Sequence, residues 1–169
     1  NTLIIFTSDH GDYLGDHWLG EKDLFHEPSI RIPLIIVEPE MPENLRGSTE
    51  NRMIESVDVV PTLVETMGGS YASNRMEGRS LVPLLFGDNP TWRDTVFAEI
   101  DYSDRGARQI LDHHPYKCRG YMIKNTRWTY IYWEGFRAQL FDLLNDPNEF
   151  NDLAENPDQS ERLAAFKKQ

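Results

Sequence analysis

Two short apolar runs, "TLIIF" (Thr2 to Phe6) and "IPLIIVEP" (Ile32 to Pro39), stand on either side of a stretch dense in Asp, His and Gly. No other feature constrains the fold as much. Each run is short and rich in β-branched or aliphatic residues, and each ends in polar residues or proline, which predicts a buried strand. Short strands without polar alternation belong to a parallel sheet covered on both faces. The loop between them is too long for a hairpin and has the length of an active-site segment.

The chain then continues through a polar loop, Glu40 to Arg52, into "SVDVVPTLVETMGG". Here Asp58 can cap a helix, and Val59, Leu63, Val64 and Met67 form a stripe at helical spacing. Pro61 suits its first turn and Gly68-Gly69 its stop. A shorter helix is expected over Ser80 to Phe86. After Pro90 the texture changes to β-prone, aromatic segments separated by polar turns, with a hairpin turning at Asn125-Thr126 inside "MIKNTRWTYIYW". "NPDQSERLAAFKKQ" closes as a helix with Lys167 and Lys168 at the favourable end of its dipole. The expected fold class is therefore α/β. Residues 1–90 form part of an αβα sandwich with a mostly parallel sheet. Residues 91–169 form a small antiparallel sheet packed with a terminal helix.

Charge and composition narrow the function. The net charge of −11 repels phosphate backbones, so no nucleic-acid partner is expected. No apolar run approaches the ~20 residues that cross a bilayer, so no membrane partner is expected either. A small anionic substrate is compatible with this charge where a metal or a few basic residues reverse the local field. The lone Cys118 forms no intrachain disulfide and fits a reducing compartment, which puts the cytoplasm ahead of the periplasm or secretion while leaving localisation open. The start at "NTLIIF", without an initiator Met, leads us to expect further chain upstream.

Within the Asp/His/Gly stretch, Asp9 and His10 fall just past the carboxyl end of the first strand, the edge at which open α/β sheets bind ligands. A carboxylate oxygen beside an imidazole nitrogen suits a divalent cation. The alternative is that Ser8 or Asp9 caps a helix. Gly11 would let the backbone turn. Lys22 could neutralise the non-bridging oxygens of a sulfate or phosphate ester, or be a solvated loop cation beside Glu21. His26 is a candidate for the substrate pocket, as are the neighbours His113 and His114, whose other reading is an exposed loop. His17 reads as a surface or packing residue. Cys118, within a predicted strand and without an evident base, reads as structural.

Taken together, "TSDHGDYLGDHWLGEKDLFHEPSIRIPLII", "SVDVVPTLVETMG", "MEGRSLVPLLFG", "WRDTVFAEI" and "LFDLLNDPNEFNDLA" resemble the sulfatases of the alkaline phosphatase superfamily. The likeness is to the branch of phosphonate monoester hydrolases and related arylsulfatases, and it is to their carboxyl-terminal portion. The resemblance implies that Asp9 and His10 are ligands of one divalent metal ion (Ca, Mn or Mg) and that Lys22 contacts the ester oxygens. It also implies a formylglycine nucleophile made within a Cys/Ser-x-Pro-x-Arg motif. No such motif occurs here, and neither does the amino-terminal acidic pair that completes the metal shell. The nucleophile and the remaining ligands are thus expected in a missing amino-terminal part of the same fold. The implied reaction is hydrolysis of a sulfate, phosphate or phosphonate ester, with no turnover by this chain alone. Two alternatives remain open: a two-metal phosphodiesterase or mutase of the same superfamily, and a non-catalytic binding domain. Subunit number is also open, homo-oligomers included.

Overall fold

The computed structural model describes all 169 residues. In chain order its elements are β1 (Ile4–Thr7), α1 (Glu27–Ile30), β2 (Leu34–Val37), α2 (Val59–Thr66), α3 (Val82–Leu85), β3 (Thr95–Asp101), α4 (Gly106–Ile110), β4 (Arg119–Asn125), β5 (Trp128–Trp133), β6 (Gln139–Asp142) and α5 (Ser160–Phe166). They divide into two units: residues 1–10 with 32–94, and residues 11–31 with 95–169.

In the first unit, β1 and β2 pair antiparallel, with Ile4 opposite Val37 and Phe6 opposite Ile35. The apolar runs had suggested parallel, fully buried strands. Apolarity on both faces reports only that both faces suit cover. Strand direction is set by how the connection returns, and composition does not encode that. Nor is β1 buried within this chain: Ile4, Phe6, Ile35 and Val37 form one open face of the ribbon.

Helix α2 follows its sequence signals. Asp58 accepts from the Glu55 N–H at 2.9 Å, closing a capping box ahead of the helix. At the other end Gly68 adopts φ +77, and the Gly69 N–H reaches back to the Val64 carbonyl at 2.9 Å. The fully buried Asp58 also accepts from the Arg79 N–H at 2.7 Å and receives the Arg93 guanidinium as a fork. The helix expected over Ser80 to Phe86 is shorter, Val82–Leu85, and starts with Pro83 in its first turn.

The second unit is built on an antiparallel sheet ordered β3-β4-β5-β6. Its period-2 alternation feeds two apolar layers. Ile123, Trp128, Tyr130 and Leu140 pack with Phe166 of α5, while Met122, Ile131 and Phe141 pack with Phe25 from the 11–31 segment. That segment therefore covers the sheet face opposite α5. The β4–β5 hairpin turns where the sequence predicts, because the Asn125 side chain accepts from the N–H groups of Arg127 (2.9 Å) and Trp128 (2.8 Å). Cys118 precedes β4 instead of lying inside a strand. It is fully buried, and its thiol donates to the His114 carbonyl at 3.4 Å.

Candidate metal and substrate site

Past the end of β1, Ser8 Oγ donates to the His10 carbonyl at 2.6 Å, and Asp9 Oδ1 accepts from the His10 N–H at 3.1 Å. These bonds hold the two side chains on one side of the turn. His10 Nε2 lies 3.4 Å from Asp9 Oδ2, with the aspartate side chain 84% exposed and the imidazole 38% exposed. No helix starts here, since the next ordered turn is Asp16–Trp18, so Asp9 does not act as a helix cap.

The separation of the two donors is one a shared cation would accept. Donors about 2.1 Å from one ion at a tetrahedral angle, or about 2.4 Å at a right angle, stand about 3.4 Å apart. Carboxylate oxygen with imidazole nitrogen is likewise an apt donor set. The chain brings together no group of three or more His, Cys, Asp or Glu able to hold a metal. Asp9 and His10 are two such groups and make a pair rather than a cluster.

The 11–31 segment carries Lys22. At its start the Gly11 N–H donates to the Ser29 carbonyl at 2.7 Å, and a Cβ there would lie 2.0 Å from the Pro28 carbonyl oxygen. Glycine is thus required for close backbone approach rather than for a turn. Ser29 Oγ donates to the Lys22 carbonyl at 2.7 Å, which ties the loop onto α1 while the lysine side chain is exposed. Between these ties the backbone is unusual: Leu14, His17, Trp18 and Glu21 all have φ between 47° and 61°. So many non-glycine residues in the left-handed region store strain that only surrounding structure can hold.

His26 is buried beneath this loop. The Tyr13 hydroxyl lies 2.8 Å from His26 Nδ1 and accepts from the His26 N–H at 3.2 Å, and the His17 ring stacks on the imidazole at 4.2 Å. Burial first, and the charge of His17 second, push the His26 pKa down to about 4, so the ring is neutral at pH 7. Burial likewise raises Tyr13 to about 12. His113 sits behind two aromatic residues, with Nδ1 3.3 Å from the Tyr102 hydroxyl and its ring 5.0 Å from that of Phe136. His114 is exposed and accepts from the Tyr116 N–H at 3.4 Å, capping a short turn.

Two features escaped the sequence reading. The first is an ionic cluster. Lys124, on β4, pairs with Glu27 and with Glu149 at 3.3 Å, and Glu149 also accepts from Thr129 Oγ1 at 2.7 Å and the Glu27 N–H at 2.7 Å. The signal was a lysine inside the apolar run "YMIKN", a place a lysine occupies only when paired. The second is a cavity of about 400 Å³ lined by residues including Tyr102, Trp133 and Phe136. Its walls come from segments far apart in sequence, and no local pattern announces it.

Residues 15–169 match the family model described as N-sulphoglucosamine sulphohydrolase, C-terminal. The multifunctional alkaline phosphatase superfamily protein PehA of Trinickia caryophylli is 36% identical over 164 residues, covering 93% of this chain and 31% of that protein. An arylsulfatase of Clostridium perfringens is 30% identical over 169 residues, covering 99% of this chain and 32% of that protein. Among solved structures, the phosphonate monoester hydrolase of Agrobacterium radiobacter superposes with a TM-score of 0.90 at 33% identity, over 99% of this chain and 34% of that one. The chain thus spans about a third of the length of the relatives it matches.

Proposed function

The chain belongs to the sulfatase family through the N-sulphoglucosamine sulphohydrolase C-terminal model that it matches, a hydrolase family with the alkaline phosphatase fold, and from that premise we propose that it supplies part of the machinery of a metal-dependent ester hydrolase. Asp9 and His10 are two ligands of one divalent cation, and Lys22 binds the ester. The observation that carries this reading is the 3.4 Å separation of a carboxylate oxygen and an imidazole nitrogen just past the end of β1.

When bound, the cation would act as a Lewis acid toward the oxygens of the ester. Asp9 brings one negative charge to the cation, and His10 brings a neutral donor when its Nε2 is unprotonated. The Lys22 ammonium neutralises a non-bridging oxygen of the bound ester and stabilises it further as charge grows on the oxyanion. These groups recognise a tetrahedral oxyanion and not the atom at its centre. The substrate class is accordingly a sulfate, phosphate or phosphonate ester. The nucleophile, a formylglycine by the resemblance above, and the other metal ligands lie outside these residues, so the 169-residue chain alone has no turnover.

The test is calorimetric titration of the full-length protein with Mn²⁺, paired with hydrolysis of 4-nitrophenyl sulfate and of a phenylphosphonate monoester. Asp9→Ala and His10→Ala are each expected to weaken Mn²⁺ at least about 10-fold. Lys22→Ala should lower kcat/KM by about 10² while leaving Mn²⁺ affinity unchanged. Unaltered Mn²⁺ binding in both ligand variants would refute the assignment.

A further inference from the structure

Ser29, in α1, is 3% exposed, and its Oγ donates to the Lys22 carbonyl at 2.7 Å. We propose that Ser29 is a positioning residue for Lys22: its hydroxyl fixes the stretch of backbone from which the ammonium reaches the oxyanion. The inference rests on the hydrolase reading above and adds to it what aims the lysine.

The bond is not the one a helical serine makes by default. Serine hydroxyls in helices ordinarily donate to a carbonyl three or four residues earlier. Ser29 passes over those carbonyls and reaches seven residues back, out of α1, to Lys22. The length is that of a well-formed O–H···O bond, and the buried hydroxyl cannot exchange its partner for bulk water. The Ser29 carbonyl also accepts from the Gly11 N–H, so one residue fixes both ends of the 11–22 stretch.

Lys22 needs such a tie because the loop that delivers it is strained. The Tyr13 N–H donates to the Glu21 carbonyl at 2.9 Å, closing the loop one residue before Lys22. Inside that closure Leu14, His17, Trp18 and Glu21 hold positive φ. Backbone of this kind keeps its shape only where its surroundings over-determine it. Lysine ends in a point charge on a flexible four-carbon stem, so the backbone it starts from sets the region its ammonium samples. A displacement of about 1 Å at a group that binds the reacting oxygens can cost about 10² in rate.

Ser29 can set that position because α1 is itself anchored. Glu149, 1% exposed, accepts from the Glu27 N–H at 2.7 Å and from Thr129 Oγ1 at 2.7 Å, and Lys124 pairs with both Glu27 and Glu149. These groups join the first residue of α1 to β4 and β5, two residues before Ser29. The support therefore runs from the sheet through Glu27 and Ser29 to Lys22, all within the second unit.

The test uses the full-length protein with Ser29→Ala, Lys22→Ala and the double variant. Ser29→Cys, which replaces the hydroxyl by a weaker donor, serves if Ser29→Ala does not fold. Binding of inorganic phosphate is followed by calorimetry, alongside Mn²⁺ affinity and kcat/KM for 4-nitrophenyl sulfate and the phenylphosphonate monoester. Ser29→Ala is expected to weaken phosphate about threefold and to lower kcat/KM about tenfold, with Mn²⁺ affinity unchanged. In the Lys22→Ala background the same substitution should change either quantity by less than about twofold, because a residue that acts through Lys22 then has nothing to position. Equal losses in both backgrounds, the result of a merely structural role, would overturn the proposal. So would phosphate binding and kcat/KM unaltered by Ser29→Ala. Should the coupling appear in phosphate binding while neither ester is hydrolysed, the positioning role stands and the hydrolase reading fails.

Discussion

Lys124 and His26 are both buried titratable side chains in the second unit, and the fold handles them in opposite ways. Lys124 pairs with two carboxylates, Glu27 and Glu149. His26 is buried and stacks on a second histidine, so its neutral form is favoured and its pKa falls to about 4. The sign of the pH effect follows from the direction of that shift. Between about pH 4 and 6.5 the unfolded chain holds a proton at His26 that the folded chain does not. The contribution is therefore complete above the unfolded pKa near 6.5 and is lost as pH falls toward about 4, with a slope of up to about 1.4 kcal/mol per pH unit. Urea unfolding between pH 4 and 7 should show this slope in the wild type and a flatter one in His26→Gln. Removing the other charge has a different outcome. Lys124→Met leaves Glu149, 1% exposed, without its cation and should cost about 3–5 kcal/mol, partly restored by adding Glu149→Gln. A stability loss below about 1 kcal/mol in Lys124→Met would show that the cluster relaxes or hydrates. The sequence made Asp9 and His10 candidates by their position and, through its resemblance to the sulfatases, implied their metal role and the ester contact of Lys22. It could not separate His26 from an exposed loop histidine, because its burial comes from Tyr13, His17 and Phe141, which the sequence does not mark as neighbours.

At the scale of elements, β4 and β5 meet where a glycine lies directly against an indole ring. Gly120 lies opposite Trp133, and a Cβ at Gly120 would come within 2.3 Å of the indole ring. Gly120→Ala must therefore displace the ring that Gln139 holds. A destabilisation of about 1–3 kcal/mol is expected from such overpacking, read as a lower Tm together with a shift in tryptophan fluorescence. An unchanged Tm and spectrum would mean that the ring moves without cost. Elements whose signals are local behaved as their sequences suggest: the Asn125 turn, the start of α2 after Asp58 and its glycine stop, and the terminal helix. The β1–β2 pairing did not, since two apolar strands look alike whichever way they run.

For the whole molecule, the open apolar face of the β1–β2 ribbon matters most. Ile4, Phe6, Ile35 and Val37 are each more than two-fifths exposed and lie side by side in register. Contiguous apolar patches on proteins usually mark an interaction surface. The 169-residue chain should bind a hydrophobic dye such as ANS, and Phe6→Lys combined with Ile35→Lys should reduce that binding by at least about half. Equal dye binding by both proteins would locate the exposed apolar surface elsewhere. The sequence by itself determined what depends on neighbours along the chain. Hydrophobic period set the helices and strands, turn and cap chemistry set their ends, and the bonded order of Asp9 and His10 put a carboxylate beside an imidazole. The tertiary structure alone decided strand direction, the burial of His26, the partners of Lys124 and the cavity beside Trp133. Each of these is a sum of contacts between distant segments, and such contacts exist only once the chain has closed on itself.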